Sequence, residues 1–294
     1  MNAAVVLMAY GSPERLADVP AYYADIRGGR PIPPALLQDL VERYRKLRIE
    51  DESPLNAVTE QTRAALEREL GDVPVFTGMK HWTPHIAEAA DAAVASGAET
   101  VVGLVLAPHY SSMSIAGYRQ QLERGLGGRA ELVFIESWHD EPGFVDLLAE
   151  RVRGTGAHVV FTAHSLPARI LETGDPYKDQ LLETSQLVAE RAALETWSFS
   201  FQSESQTGEP WLGPDILDHL RELHARGVRD VLVCPVGFVA DHLEIRWDLD
   251  HEAAELAGEL GLDFRRIEMP NADPAFVQVL AALVRRVLAV PSEA

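Results

Sequence analysis

Short runs rich in β-branched residues alternate with longer amphipathic stretches along the whole chain, and that alternation leaves few folds open. Eight runs read as strands: 3–8, 73–77, 100–106 and 131–136 in the first half, then 157–162, 196–201, 230–235 and 263–268 in the second. Helical periodicity fills the intervals, for instance over 34–48, 55–70, 83–96, 142–153, 177–194 and 274–289. A strand, a helix and a further strand in succession build a parallel βαβ unit, so the expected class is α/β. The Gly-Thr-Gly turn at 154–156 divides the chain into an expected domain 1–153 and a second, 156–273. The last helix, 274–290, has the first domain as a candidate packing partner.

A short internal repeat supports this division. The run VVLMAYGSP at 5–13 aligns with VVFTAHSLP at 159–167, and 101–108 resembles 231–235. Tyr10 and His164 therefore occupy equivalent positions, each leaving the carboxyl end of the first strand of its half. Sites in open α/β sheets form at those ends, so two facing halves would point both side chains into one cleft.

A net charge of −19 argues against nucleic acid or an anionic membrane as partner and favours attraction of a cation. The one cysteine, Cys234, excludes a disulfide framework, a CxxC zinc site and a four-cysteine iron–sulfur cluster, and fits a reducing, cytoplasmic setting. No apolar run reaches the roughly 18 residues of a membrane span, and the first ten residues read as a strand, not a signal peptide.

Phosphate-loop, dinucleotide and hydrolase-elbow motifs are absent from the sequence. What stands out is the polar set at strand ends, Tyr10, His81, His109, His164 and Gln202, and an acidic run from Asp241 to Glu252. On an α-helix Glu244, Asp248 and Glu252, spaced by four, form a stripe drifting about 40° per step, with His251 close by. Such a stripe is either a solvated helix face or a row of hard oxygen ligands; its place just after a strand favours the second. Residues 27–48 run against the general charge, with Arg27, Arg30, Arg43, Arg45, Lys46 and Arg48 facing only Asp39 and Glu42. Arginine forks there suit carboxylates or phosphates of a small anionic substrate, while Arg45 and Arg48 read as a solvated face. Ser53, before Pro54, has the character of a helix N-cap.

Six segments in order resemble the ferrochelatase family: MAYGSP at 8–13, GMKHWTP at 78–84, LAPHYS at 106–111, TAHSLP at 162–167, FQSE at 201–204 with EPWLGP at 209–214, and PVGFVADHLE at 235–244. The chain looks most like the bacterial coproporphyrin III ferrochelatases, which are monomeric and carry a tyrosine where Tyr10 stands. The resemblance implies two Rossmann-like domains of the chelatase fold, with the active-site cleft between them and the metal site in the second. It matches His164 and Glu244 to the catalytic pair holding Fe2+, and Asp248 and Glu252 to an outer cation site that Mg2+ would suit. It matches Tyr10, Arg27, Arg43, Tyr44, Ser53 and Tyr118 to positions contacting the porphyrin or its propionates. Glycines at 28 and 29 leave the number of propionate contacts at the 26–30 loop open.

The implied reaction inserts ferrous iron into coproporphyrin III in haem b biosynthesis, a lyase activity with Fe2+ as substrate, no cofactor and no iron–sulfur cluster. Porphyrin and iron are the expected partners, with a transient handover protein of the haem pathway a further one; no integral membrane segment and a monomeric state are expected. His164 would act as base, ligand or both, and Glu244 would supply charge and a second ligand. Tyr10 either ligates product iron or stacks on the macrocycle. His81 either orients a propionate, carries a proton or packs on Trp82, and His109 and His242 read as structural. Cys234 reads as an inert core residue. Alternatives are protoporphyrin IX as substrate, a cobalt or nickel chelatase of the same fold, and a non-enzymatic metallotetrapyrrole carrier.

Overall fold

A computed structural model describes residues 2–30, 32–47, 54–204 and 208–289. Two four-stranded sheets, both entirely parallel, form its framework. The first contains β1 (Ala3–Ala9), β2 (Val75–Met79), β3 (Thr100–Val105) and β4 (Glu131–Ile135) in the order β2-β1-β3-β4. The second contains β5 (His158–His164), β6 (Trp197–Gln202), β7 (Asp230–Cys234) and β8 (Asp263–Arg266) in the order β6-β5-β7-β8. Because the two orders are the same, the sequence repeat has a structural counterpart: β1 and β5 sit at equivalent places, as do β3 and β7.

All seven residues of β1 are buried, as a parallel strand covered on both faces requires. Helices α4 (Ile86–Ala95) and α5 (Ile115–Leu126) cover one face of the first sheet through Ala90, Ala93 and Leu122. Its other face opens into a larger core, where α3 (Pro54–Leu70), α6 (Pro142–Val152), α7 (Tyr177–Ala192) and α10 (Pro274–Ala289) meet. That core is continuous from Val5 and Leu7 of β1 to Val159 and Phe161 of β5, so the two sheets share one apolar interior. Helix α10 packs against α3 and α6. On its far face the second sheet packs against α8 (Ile216–Ala225), α9 (Ala254–Leu260) and the helix carrying the acidic run.

Helices α1 (Val19–Ile26) and α2 (Pro34–Lys46) form a satellite. Leu37, Leu40, Val41 and Tyr44 of α2 follow helical spacing and pack with Val19, Tyr23 and Leu243.

Two expectations need correction. Strand β5 runs to His164, and not to residue 162, so His164 is itself in the ladder, paired with Gln202. The acidic segment Ile245–Ala253 is a π-helix and not an α-helix; at its end the Ala254 N–H reaches the Leu249 carbonyl, an i→i+5 bond. The wider turn changes the drift of the carboxylate stripe while leaving Glu244 and Asp248 electrostatically coupled. Smaller differences concern ends: α4 starts at Ile86, where the Glu88 carboxylate accepts from the His85 N–H, and β2 starts after Pro74, which has no N–H for the ladder. Ser53 and Arg48 lie outside the described residues.

Candidate active site

Close approach of backbone sets up the site. A Cβ on Gly237 would fall 2.5 Å from Ala163 Cβ, so only glycine lets the loop after β7 lie against the end of β5. That loop delivers Glu244, the residue at the head of the π-helix, to His164. His164 Nε2 stands 3.6 Å from Glu244 Oε1, with the imidazole side chain 31% exposed and the carboxylate side chain 44%. His164 Nδ1 donates to the Ser165 carbonyl, which leaves Nε2 as the nitrogen that faces the carboxylate. The Tyr177 hydroxyl donates to the His164 carbonyl at 3.0 Å and steadies the strand end.

Burial alone would lower the His164 pKa, but the Glu244 charge overrides it and lifts the imidazole to about 9. Burial likewise would raise Glu244, yet His164 brings it down to about 2. Without a metal the two therefore form an imidazolium–carboxylate pair across the neutral range.

The second Glu244 oxygen, Oε2, lies 3.7 Å from His242 Nε2. His242 Nδ1 accepts from the Ile245 N–H at 3.3 Å, so Nε2 carries the proton and points it at the carboxylate. Burial holds His242 below the usual histidine range. The sequence reading treated His242 as structural; its place beside Glu244 appears only once the segment is folded, although DHLE in the 235–244 motif puts it two residues away.

Asp248 is 8% exposed and not on a solvated face. Burial first, then the Glu244 charge, raises its pKa to about 7. The end of β6 meets it: Gln202 Nε2 donates to Oδ2 at 3.3 Å, and the Ser203 hydroxyl donates to the same oxygen. Ser203 holds φ at +62°, an uncommon value for a non-glycine residue and one that turns its side chain toward this carboxylate. Nothing in the residue type announced that role. Glu252 lies further along the π-helix, half-buried, and its charge adds to the rise at Asp248. Among the described residues no three His, Cys, Asp or Glu side chains converge closely enough to enclose a cation.

Tyr10 follows β1 and is 41% exposed. Its surroundings, and after them the Glu244 and Asp25 charges, push its phenol pKa up, so it stays protonated. Tyr10 is thus within electrostatic reach of Glu244. His81 packs on Tyr10 with ring centroids 4.6 Å apart and the planes tilted by 59°, and its Nδ1 lies 2.8 Å from Asp25 Oδ2. The ring neighbour of His81 is thus Tyr10. Arg27 at the end of α1 has a buried Nε without partner. Arg43 pairs with Asp39 at 3.0 Å. Tyr44 and Tyr118 are buried, the latter under the Lys80 ammonium at 4.7 Å from its ring centre. His109 is tied by Nε2 to Thr184 at 2.9 Å, joining the two halves, and Cys234 is buried with its thiol pKa pushed up.

The ferrochelatase family model matches residues 2–288. The chain belongs to the ferrochelatase family. A ferrochelatase of Herpetosiphon aurantiacus is 44% identical, covering 96% of this chain and 98% of its own. One of Deinococcus radiodurans is 41% identical over 96% and 95%, and the coproporphyrin III ferrochelatase of Bacillus subtilis is 39% identical over 97% of each. In fold the chain is similar to SirB from Bacillus subtilis with Fe3+, at a TM-score of 0.62 and 12% identity over 98% and 96% of the two chains. The fold is that of the chelatases, and the activity is insertion of a metal ion into a porphyrin, a lyase reaction of haem biosynthesis. Metallation expels two pyrrole protons, and this site offers one imidazole nitrogen and several carboxylate oxygens to receive protons and cation in turn. None of the described helices is long and apolar enough to cross a membrane.

Proposed function

We propose that this chain inserts Fe2+ into coproporphyrin III, with His164 and Glu244 as the catalytic pair. The observation that carries the reading is the position of that pair, 3.6 Å apart at the carboxyl end of β5 and electrostatically coupled to Tyr10 at the matching end of β1. Iron displaces the proton shared by the pair, and His164 Nε2 and Glu244 become its ligands. The macrocycle nitrogens then replace them as two pyrrole protons pass to the pair and out past Asp248, whose pKa of about 7 suits it to accept and release a proton. A two-residue ligand set leaves coordination positions free for that exchange. Asp248 and Glu252 supply the outer cation site, which Mg2+ would suit. Tyr10 stands ready as axial ligand to product iron, and Arg27, Arg43, Tyr44, Ser53, Tyr118 and His81 contact the porphyrin.

The substrate assignment rests on carboxylate-binding capacity. Coproporphyrin III carries four propionates where protoporphyrin IX carries two, and the 27–48 segment concentrates cations in an acidic chain. Arg27 Nε is a buried donor with no acceptor, which a propionate would supply. Curated relatives named coproporphyrin III ferrochelatase, such as those of Bacillus subtilis and Halalkalibacterium halodurans, support the same choice. The reading includes a monomer working in the cytoplasm without cofactor or iron–sulfur cluster and passing its product to a transient partner.

Competition under anaerobic conditions tests it. With Fe2+ saturating, kcat/KM for coproporphyrin III should exceed that for protoporphyrin IX at least tenfold. Equal values, or a preference for protoporphyrin, would assign the other substrate. Turnover with Co2+ or Ni2+ but not Fe2+ would favour a different chelatase, and tight binding with no turnover a carrier.

A further inference from the structure

The segment expected to meet the tetrapyrrole is docked against the helix that carries the metal carboxylates. Arg43 of α2 lies over the indole of Trp247, its guanidinium carbon 4.9 Å from the ring centre, and the Lys46 ammonium lies over the same ring at 5.5 Å. Two cations over one indole ring form a cation–π clamp. Trp247 is 7% exposed, and its buried Nε1–H has no acceptor. Leu243, one residue before Glu244, packs into the α1–α2 cluster beside Tyr44, which is only 3% exposed. Leu243 and Trp247 thus bracket Glu244 in the chain, and both grip α2.

This docking conflicts with substrate entry. Tyr44 cannot meet a macrocycle while it is covered, and Arg43, about one-third exposed, is shared between Trp247 and the Asp39 carboxylate. A carboxylate binds a guanidinium more strongly than an indole face does, through charge-assisted and often bidentate hydrogen bonds. Arg43 already holds the Asp39 carboxylate while over the ring, so a propionate loosens α2 by drawing the guanidinium away from both Asp39 and Trp247.

We propose that Trp247 is a positioning residue for substrate binding: it holds α2 closed over the cleft through Arg43 and Lys46, and releases it when a tetrapyrrole propionate takes Arg43. This rests on the function proposed above. Undocking then precedes stable binding, so the observed binding rate levels off as porphyrin concentration rises. Because the clamp sits next to Glu244, closing α2 and presenting the metal carboxylate are linked through one short piece of chain.

The test is stopped-flow binding of coproporphyrin III without metal, followed by the porphyrin's own fluorescence, in the wild-type chain and in Trp247→Phe, Trp247→Leu, Lys46→Met and the Trp247→Leu/Lys46→Met double variant. Trp247→Leu should raise the plateau rate about three- to thirtyfold, the range a lost cation–π contact allows. Trp247→Phe keeps an aromatic face and should stay within about threefold of wild type. Lys46→Met should give a smaller rise, and the double variant should match Trp247→Leu alone, because Lys46 acts through the ring. A wild-type chain that binds with Trp247→Leu, Trp247→Phe and Lys46→Met all at its own rate would overturn the clamp alone, as would additive effects in the double variant. Should the wild-type chain fail to bind coproporphyrin III, the functional reading and the clamp fall together. Lys46 is exposed, so its variant keeps the question answerable even where Trp247→Leu folds poorly.

Discussion

At the scale of single residues, the site stores its charge in opposite ways at two carboxylates. Glu244 is held ionised by His164, whereas Asp248, buried beside it, takes a proton near neutrality. An aspartate in an unfolded chain titrates near about 3.9. Folding therefore keeps a proton on Asp248 between about pH 4 and 7, and ionising it in place costs stability that rises over that range and is constant above it. Asp248→Asn should raise the melting temperature at pH 8 and have little effect at pH 4; the order of magnitude is a few kcal/mol. Differential scanning calorimetry at the two pH values checks the sign. His164 is shifted in the same direction: its pKa is raised to about 9, so a metal must displace a proton at neutral pH. Fe2+ affinity should climb with pH from 6 and flatten near 9, and Glu244→Gln should move that climb to lower pH as well as weakening binding. Anaerobic titration across pH reads both effects. Strand-end position and the repeat single out Tyr10 and His164 in the sequence, and the four-residue carboxylate spacing after a strand singles out Glu244. His242 and Ser203 were not legible there, because their roles depend on a tautomer fixed by the Ile245 N–H and on a backbone angle of +62°.

At the scale of elements, all eight strands and their parallel class could be read from short β-branched and aromatic runs alternating with helical stretches, most plainly in β1, β3 and β7, where burial on both faces demands apolar residues. The π-helix could not: a shift from i→i+4 to i→i+5 bonding leaves no periodic signature in nine residues. Gly237 is the joint on which the π-helix is set. Gly237→Ala would place a methyl group 2.5 Å from Ala163 Cβ and 2.9 Å from its Cα, and neither can yield without moving β5. The expected cost is about 1–3 kcal/mol of stability, as for other overpacked sites. The larger consequence is displacement of Glu244, so Fe2+ insertion should fall at least tenfold while porphyrin binding changes less. Urea unfolding and a metallation assay on the same protein separate the two effects; full activity after substitution would show that the loop is not the positioning device.

At the scale of the whole molecule, a sequence divided by a Gly-Thr-Gly turn folds around one shared core, in which α10 packs against helices α3 and α6 of the first half. The two halves should therefore melt together. Leu280→Ala, at a fully buried position of α10, should cost about 2–5 kcal/mol and lower a single transition without splitting it. Two resolved transitions would mean that the sheets are separately stable. The shared core also joins the half carrying His164 and Glu244 to the half carrying Tyr10, and the account's central claim is that these residues together metallate a porphyrin. Anaerobic absorbance with Fe2+ and coproporphyrin III tests it most directly, run on the wild-type chain, His164→Ala and Glu244→Gln, with porphyrin affinity measured on each sample. The account predicts catalytic formation of the iron porphyrin by the wild-type chain and at least a hundredfold loss in both variants, with porphyrin affinity within a few-fold. Variants that bind porphyrin and still insert iron at the wild-type rate would contradict it.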